Sequence, residues 1–240
     1  MKTFKSLLLL LMLGLLLNSC FITSLHPFYT DDVIQFEKQL IGQWIDSDNG
    51  VWNVMRFTDF RKNKTNRDTT KLNEKQFDAW HRDKQSYMIQ YENYDGSKLY
   101  NSVSKKTFRM EDVHLKVVPF KINGQLFLDF NPHHIGWDEG LAGFPFSTSP
   151  KINTHSLAKL DMDSKNQITI TWLTEEKINA LLATHKIKIK HESTGTNGKT
   201  LLTAPPEELV EFIEKYMNVK GGDRWDSSDN QKLKFQLKRR

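Results

Sequence analysis

The sequence contains few side chains whose type and spacing could support covalent or metal chemistry. Cys20 is the only cysteine, so the chain has one thiol nucleophile and can form neither an internal disulfide nor a cysteine metal cluster. His133 and His134 are adjacent and are followed by Asp138 and Glu139, a set that could bind zinc or serve a hydrolase. Neighbouring histidines point to opposite faces of a strand, so solvated loop histidines are the simpler explanation. We therefore expect no bound metal and no cofactor.

Two pairs of adjacent carboxylates also have a structural explanation. Glu175-Glu176 and Glu207-Glu208 each lie in the first turn of a predicted helix, where the helix dipole favours negative charge. No serine lies in a Gly-x-Ser-x-Gly motif, and no glycine-rich segment has the Lys-Ser/Thr ending of a phosphate-binding loop. The sequence thus favours a protein without catalytic activity, and a hydrolase that uses the histidine pair is the less favoured alternative.

The N-terminus has the layout of an export signal. Lys2 and Lys5 precede an apolar run that extends from Ser6 to Leu17. This run is shorter than the roughly 20 residues that cross a bilayer as a helix, but it is typical of a signal peptide. Because the leader carries two of the basic residues that give the formal net charge of +5, the remaining chain is close to neutral, and we expect no nucleic-acid partner.

The leader ends in Leu17-Asn18-Ser19-Cys20, which resembles the lipobox of bacterial lipoproteins. In that motif an aliphatic residue stands at −3 and a small residue at −1; Asn18 at −2 is less usual. The resemblance implies cleavage between Ser19 and Cys20, diacylation of the Cys20 thiol and acylation of the new amino group. Several acyl chains, each worth about 0.8 kcal/mol per buried methylene, would attach the protein stably to a membrane.

The same resemblance implies a location in the cell envelope. Phe21, rather than Asp, follows the cysteine, which by analogy with enterobacterial sorting indicates the outer membrane and leaves the membrane face open. The whole chain is similar to uncharacterised lipoproteins of Bacteroidota, in which a lipobox precedes a β domain. That similarity implies no activity.

The sequence divides into four segments. Residues 1–19 are the predicted signal peptide, and residues 20–35 are a lipid-anchored tether whose apolar side chains should lie partly against the domain. Residues 36–217 form a single β-rich domain, and residues 218–240 are predicted to be a loosely ordered basic tail. The expected fold is mainly β within the α+β class, an antiparallel meander that forms a lipocalin-like barrel or a sandwich, with two helices near the C-terminus.

Several local patterns support this fold. The segment 51–57 is apolar on both faces and predicts a strand that is covered on both sides or lines a cavity. Asn123-Gly124 separates two apolar runs and predicts a hairpin with a type I′ turn. Helices are predicted from residue 174 to 184 and from about 205 to 216. Residues 59–74 are polar and predict a long loop, whose basic cluster at 61–64 is either solvated or in contact with anionic lipid.

Gly42-Gln43-Trp44, followed by a strand, serial hairpins and a late helix, resembles the lipocalin-like barrels. In those barrels the tryptophan of a Gly-x-Trp motif closes one end. The resemblance implies that Trp44 is a barrel plug.

The sequence therefore predicts an anchored envelope lipoprotein that binds an apolar or amphipathic ligand or a partner protein. The main alternative is a structural or assembly subunit of an envelope complex that uses exposed aromatic residues such as Trp80, Tyr94 and Trp137.

Overall fold

The computed structural model describes residues 21–64, 74–92, 98–101, 106–109, 113–132, 153–194, 198–218 and 233–240. Within these ranges the chain forms 13 strands and four α-helices. The strands are β1 (Thr23–Ser24), β2 (Gly42–Ile45), β3 (Val51–Arg56), β4 (Tyr87–Glu92), β5 (Lys98–Asn101), β6 (Lys106–Arg109), β7 (Val113–Ile122), β8 (Gln125–Pro132), β9 (His155–Ser164), β10 (Gln167–Trp172), β11 (His191–Thr194), β12 (Lys199–Leu202) and β13 (Lys234–Arg239). The helices are α1 (Phe57–Lys64), α2 (Glu74–Lys84), α3 (Glu175–Ala183) and α4 (Pro206–Asn218), and two 3₁₀ turns span Asp31–Val33 and Lys38–Leu40.

Eight antiparallel strands close into a barrel. Their order is β10-β13-β2-β3-β4-β7-β8-β9, and the pairing of β9 with β10 completes the circle. Beyond the barrel, β1 pairs with the start of β9 and continues the sheet outward to β12 and β11, while β5 and β6 pair as a separate hairpin. The prediction of a mainly β, lipocalin-like barrel with two helices near the C-terminus is confirmed.

Apolar side chains fill the inside of the barrel because alternate residues of each strand point inward. Trp52 and Val54 on β3 face the same interior as Ile168 and Ile170 on β10. Leu237 on β13 joins them, although β13 is the last strand in the chain. The interior is therefore a packed core that includes residues from the first and the last strand of the barrel.

A second core lies between the outer wall of the barrel and the helical layer. Phe120, Phe127 and Leu157 belong to the wall, and they cluster with a buried stripe on α4. That stripe consists of the four residues predicted from their helical spacing: Leu209, Phe212, Ile213 and Tyr216. Ile22 and Phe28 are buried in the same core, so the expectation that the tether lies partly against the domain is confirmed.

The segment after β3 differs from the prediction. The sequence predicts a loop from residue 59, but residues 57–64 form α1, so the whole basic cluster at 61–64 belongs to a helix. Phe57 and Phe60 of α1 are buried against Met88, with Met55 packed beside them. This cover on the outer wall explains why β3 is apolar on both faces, and the tertiary contact stabilises a helix whose own sequence is mostly polar.

The C-terminus is also more ordered than expected. Residues 234–239 were assigned to a loose basic tail, but they form β13, which pairs with both β2 and β10. Phe235 and Leu237 point into the barrel and alternate with Lys234, Gln236 and Lys238. Without β13 the barrel would be open, since no other described strand lies between β2 and β10.

Candidate functional site

Trp44, the tryptophan of the Gly-x-Trp motif, is buried in the barrel core. Its side chain is 1% exposed, and its indole N–H donates to the carbonyl of Leu40 at 2.8 Å. The guanidinium of Arg239 lies over the indole, 4.4 Å from the ring centroid, and donates to the carbonyl of Ile41 at 3.2 Å and to that of Gln39. The prediction that Trp44 plugs the barrel therefore fits the geometry, and Arg239 is a partner that sequence reasoning missed.

Gly42 is required by the same arrangement. Its φ is +137°, in a region that side chains with a Cβ rarely adopt. A Cβ at this position would also lie 2.8 Å from a guanidinium nitrogen of Arg239. The glycine of the Gly-x-Trp motif thus gives the arginine room to cover the tryptophan.

The barrel interior leaves little space for a ligand. Within the barrel lies a cavity of about 20 Å³ with an apolar lining, to which Leu128, Leu160 and Ile168 contribute. A water molecule needs roughly 10–15 Å³ on the same scale, whereas sites for small molecules have volumes of about 300–1,000 Å³. The interior of this conformation therefore has room for a water-sized group and not for a lipid chain.

Near the C-terminal end of β10, aromatic rings fill the barrel interior. Trp172 lies 4.7 Å from Phe130 and 5.4 Å from Phe235, measured between ring centroids. Trp52 lies 5.5 Å from Phe235 and 5.2 Å from Tyr91. These large rings, packed edge to face or tilted, take up volume that an open lipocalin-like barrel would leave for a ligand.

A histidine–carboxylate pair lies on the outer wall, beneath the N-terminal segment. The Asp129 carboxylate accepts a 2.7 Å hydrogen bond from Nδ1 of His155 and a 2.8 Å bond from the backbone N–H of Phe28. Ser24 stands opposite His155 in the β1–β9 pairing, which gives the three residue types of a hydrolase triad.

These three side chains do not form a hydrogen-bonded triad. Ser24 is fully buried, and its hydroxyl donates to the carbonyl of Leu202 and accepts the backbone N–H of His26. No hydrogen bond joins it to His155 among the described residues. The Asp129 side chain is 2% exposed, so its two donors neutralise an otherwise costly buried carboxylate. Sequence reasoning did not find this pair because it depends on the β8–β9 register.

Other polar side chains singled out in the sequence also have structural partners. Glu175 accepts the backbone N–H of Thr200 at 2.6 Å, and Glu208 pairs with Lys190 at 3.0 Å. Trp80 is half-buried, with the Lys84 ammonium 3.5 Å from its ring centroid. Cys20 and Ser19, the histidines at 133 and 134 with Asp138 and Glu139, and the aromatic residues Tyr94 and Trp137 lie outside the described residues.

Two buried tyrosines have perturbed acidity. Burial raises the pKa of Tyr87 well above its usual range, and the Glu37 backbone both donates to and accepts from the hydroxyl at 2.8 Å. Burial likewise raises the pKa of Tyr29, and the nearby negative charge of Asp129 raises it further. Both hydroxyls therefore stay protonated at ordinary pH, and that of Tyr87 acts as a neutral donor and acceptor.

The described part of the chain shows no sign of a metal or membrane-spanning element. It contains no group of three or more histidine, cysteine, aspartate or glutamate side chains that could hold a metal ion. None of its helices combines the length and apolar character that a transmembrane helix needs. All of its buried side-chain nitrogen and oxygen atoms have hydrogen-bond partners.

Comparison with known proteins assigns the chain to no family. No protein-family model matches the chain, and no match was found among the curated proteins or among the solved structures.

Proposed function

We propose that this chain is a non-catalytic envelope lipoprotein, anchored in the membrane through lipid on Cys20, whose barrel domain binds a partner protein with its outer surface. The filled barrel interior supports binding at the outer surface, because the cavity of about 20 Å³ is far too small for an acyl chain. An apolar or amphipathic ligand remains the alternative, and it would have to bind outside the barrel or after the core rearranges.

The anchoring part of the proposal rests on the sequence around the cysteine. Leu17 and Ser19 stand at the −3 and −1 positions of a lipobox, and Cys20 is the only thiol in the chain. The envelope location, and the outer membrane within it, follows from the same resemblance and is proposed with it. No partner other than the membrane and an envelope protein is required.

A hydrolase at His133 or His134 has less support. Those residues lie outside the described residues, and the described His155–Asp129 pair lies beside a serine that solvent does not reach. The structural or assembly role is the form of the proposal that the packed interior supports best, because a rigid barrel without an internal site can act only through its surface.

Anchoring is tested by expressing the full precursor in a bacterial host and measuring the intact mass of the product. We expect residues 1–19 to be absent and the mass to include a diacylglyceryl group and an amide-linked acyl chain. Globomycin, which inhibits the lipoprotein signal peptidase, should cause the precursor to accumulate. The Cys20→Ala variant is the matched control and should carry no lipid; an unmodified wild-type product would refute the anchor.

Partner binding is tested by cross-linking in cells that produce the acylated protein. Photo-reactive groups at exposed positions of the domain surface should give a discrete, reproducible adduct, and groups facing the barrel interior should give none. If no surface position yields an adduct with an envelope protein, the partner-binding proposal fails even where the mass confirms acylation.

A further inference from the structure

The chain enters the folded domain immediately after the cysteine. Phe21 forms an antiparallel bridge with Thr174, and the backbone N–H of Ile22 donates to the carbonyl of Leu173 at 2.9 Å. Ile22 is fully buried in the second core. Residue 20 is therefore separated from a fixed backbone position by a single peptide unit, with a Cα–Cα distance of about 3.8 Å.

This attachment point has a defined place on the barrel. β10 begins beside Lys238 of β13, next to the Arg239 that covers Trp44, and it ends at Trp172. Thr174 lies two residues after Trp172, so Phe21 lies at the end of β10 that is remote from Trp44. The six residues of β10 separate the two ends by about 20 Å along the strand.

Phe21 itself is exposed in a way that the other large apolar residues are not. Its side chain is 40% exposed, and it is the one large hydrophobic residue in the described part of the chain with such exposure. An exposed aromatic ring beside an acylated residue is suited to the interface between water and lipid, where amphipathic and aromatic side chains reside. Packing inside the domain explains neither the exposure of the Phe21 ring nor the short link between Cys20 and the folded chain.

We propose that Phe21 and the N-terminus of α3 contact the bilayer directly, so that the domain is held in one orientation with the turn between β9 and β10 directed away from the membrane. This inference rests on the proposed acylation of Cys20. Across the bridge to Phe21, the Cα of Thr174 would lie within about 10 Å of the Cα of the acylated residue. A flexible tether of the usual kind would not restrict the orientation in this way.

The test uses the acylated, full mature protein in phosphatidylcholine vesicles that contain a lipid with a quencher in its acyl chains. Acylation occupies the only native thiol, so a single introduced cysteine accepts an environment-sensitive fluorophore at one site. Glu176→Cys places the label in the first turn of α3, and Lys165→Cys places it in the β9–β10 turn; both residues are exposed. Neutral lipid is chosen because Glu176 is an exposed acid at the proposed contact.

We expect quenching at position 176 to exceed that at position 165 several-fold. Insertion of a flexible Gly-Ser segment of about 20 residues between Cys20 and Phe21, which spans roughly 25 Å, should remove the difference while the protein stays bound to vesicles. Phe21→Ser should reduce quenching at position 176, and an unchanged signal would exclude the ring from the contact.

Equal quenching at the two positions, stronger quenching at position 165, or a difference that survives the insertion would overturn the proposed orientation. The failure of anchoring itself gives a different result. In that case the wild-type protein has an unacylated mass, accepts the fluorophore on Cys20 and does not bind the vesicles.

Discussion

At the scale of single residues, the contact between Arg239 and Trp44 joins the strands β13 and β2. The guanidinium covers the indole and donates to backbone carbonyls of the segment that leads into β2. A cation over an aromatic ring contributes about 0.5–2 kcal/mol, and a hydrogen bond from a charged group about 1.5–3 kcal/mol. Arg239 therefore stabilises this part of the barrel in two ways, through its contact with the Trp44 ring and through its hydrogen bonds to backbone carbonyls.

We predict that Arg239→Ala lowers the free energy of unfolding by about 2 kcal/mol, because it uncovers Trp44 and removes donors from two carbonyls. Arg240→Ala is the matched control, since the neighbouring side chain is exposed, and its effect should stay within about 0.5 kcal/mol. Urea unfolding followed by tryptophan fluorescence measures both values. Similar losses in the two variants would show that the contact with Trp44 has no special weight.

A second residue-level prediction concerns Tyr87. Its pKa is raised in the folded state by burial, whereas an unfolded tyrosine loses its proton near pH 10. Above that pH the unfolded state releases a proton that the folded state retains, so stability should fall as pH rises above about 10. Tyr29, whose pKa is raised in the same direction, should contribute to the same decline.

The check is urea unfolding of the wild type and Tyr87→Phe between pH 8 and pH 11. The variant should be less stable at pH 8, because the Glu37 backbone loses its hydroxyl partner, but its stability should decline less with pH. A decline as steep as that of the wild type would mean that Tyr87 does not remain protonated in the folded barrel.

The residue scale also shows where sequence reasoning ends. The Gly-x-Trp pattern is local, so Trp44 could be assigned to the barrel end from the sequence. Arg239 lies 198 residues from Ile41, whose carbonyl it contacts, and only the closure of the barrel brings the two together. Such a contact cannot be predicted from the spacing of residues in the sequence.

At the scale of elements, local signals identified most hairpins and the late helices. Asn123 and Gly124 have φ values of 49° and 84°, as the predicted type I′ turn requires. The four apolar residues of α4 are all buried, as their spacing indicated. These elements were predictable because their own turn chemistry or periodicity specifies them.

The elements α1 and β13 were missed because tertiary contacts stabilise them. α1 has only Phe57 and Phe60 as apolar anchors within eight residues, too weak a period to distinguish it from a loop. β13 alternates basic or polar residues with Phe235 and Leu237, but its position at the end of the chain suggested a tail. Its order comes from filling the gap between β2 and β10, which cannot be seen before the barrel is known.

We predict that a chain ending at Leu233 does not fold cooperatively. Removing β13 leaves the facing edges of β2 and β10 unpaired and deletes Leu237 from the core, where loss of a buried leucine alone costs about 2–5 kcal/mol. Total stability is roughly 5–15 kcal/mol for a typical domain, so these losses together should exceed it. Near-ultraviolet circular dichroism and urea unfolding provide the measurement.

The control for this truncation is a chain that lacks only Arg240, which should keep a cooperative transition. A truncated chain with a wild-type unfolding curve would contradict the role of β13 and would support the earlier interpretation of the C-terminus as a tail.

At the scale of the whole molecule, the barrel is a wall between two packed cores. Residues such as Phe130 point inward, and their neighbour Phe127 points outward to the helical layer. Each core also includes residues from both halves of the chain, so the barrel and the added layer support each other. The interior cavity of such a body is small, about 20 Å³, which is why we propose that a partner binds at its surface.

The filled interior gives the last prediction. Wild-type protein should show no saturable binding of a fluorescent fatty acid or of benzene, because the cavity of about 20 Å³ admits neither. Leu160→Ala removes a side chain that lines this cavity and is 1% exposed, so the enlarged space should bind benzene at a cost of about 3–5 kcal/mol in stability. Benzene should then raise the melting temperature of the variant and leave that of the wild type unchanged. Saturable fatty-acid binding by the wild type, accompanied by quenching of its interior tryptophans, would instead show that the core opens for a ligand and would favour the ligand-binding alternative over a surface partner.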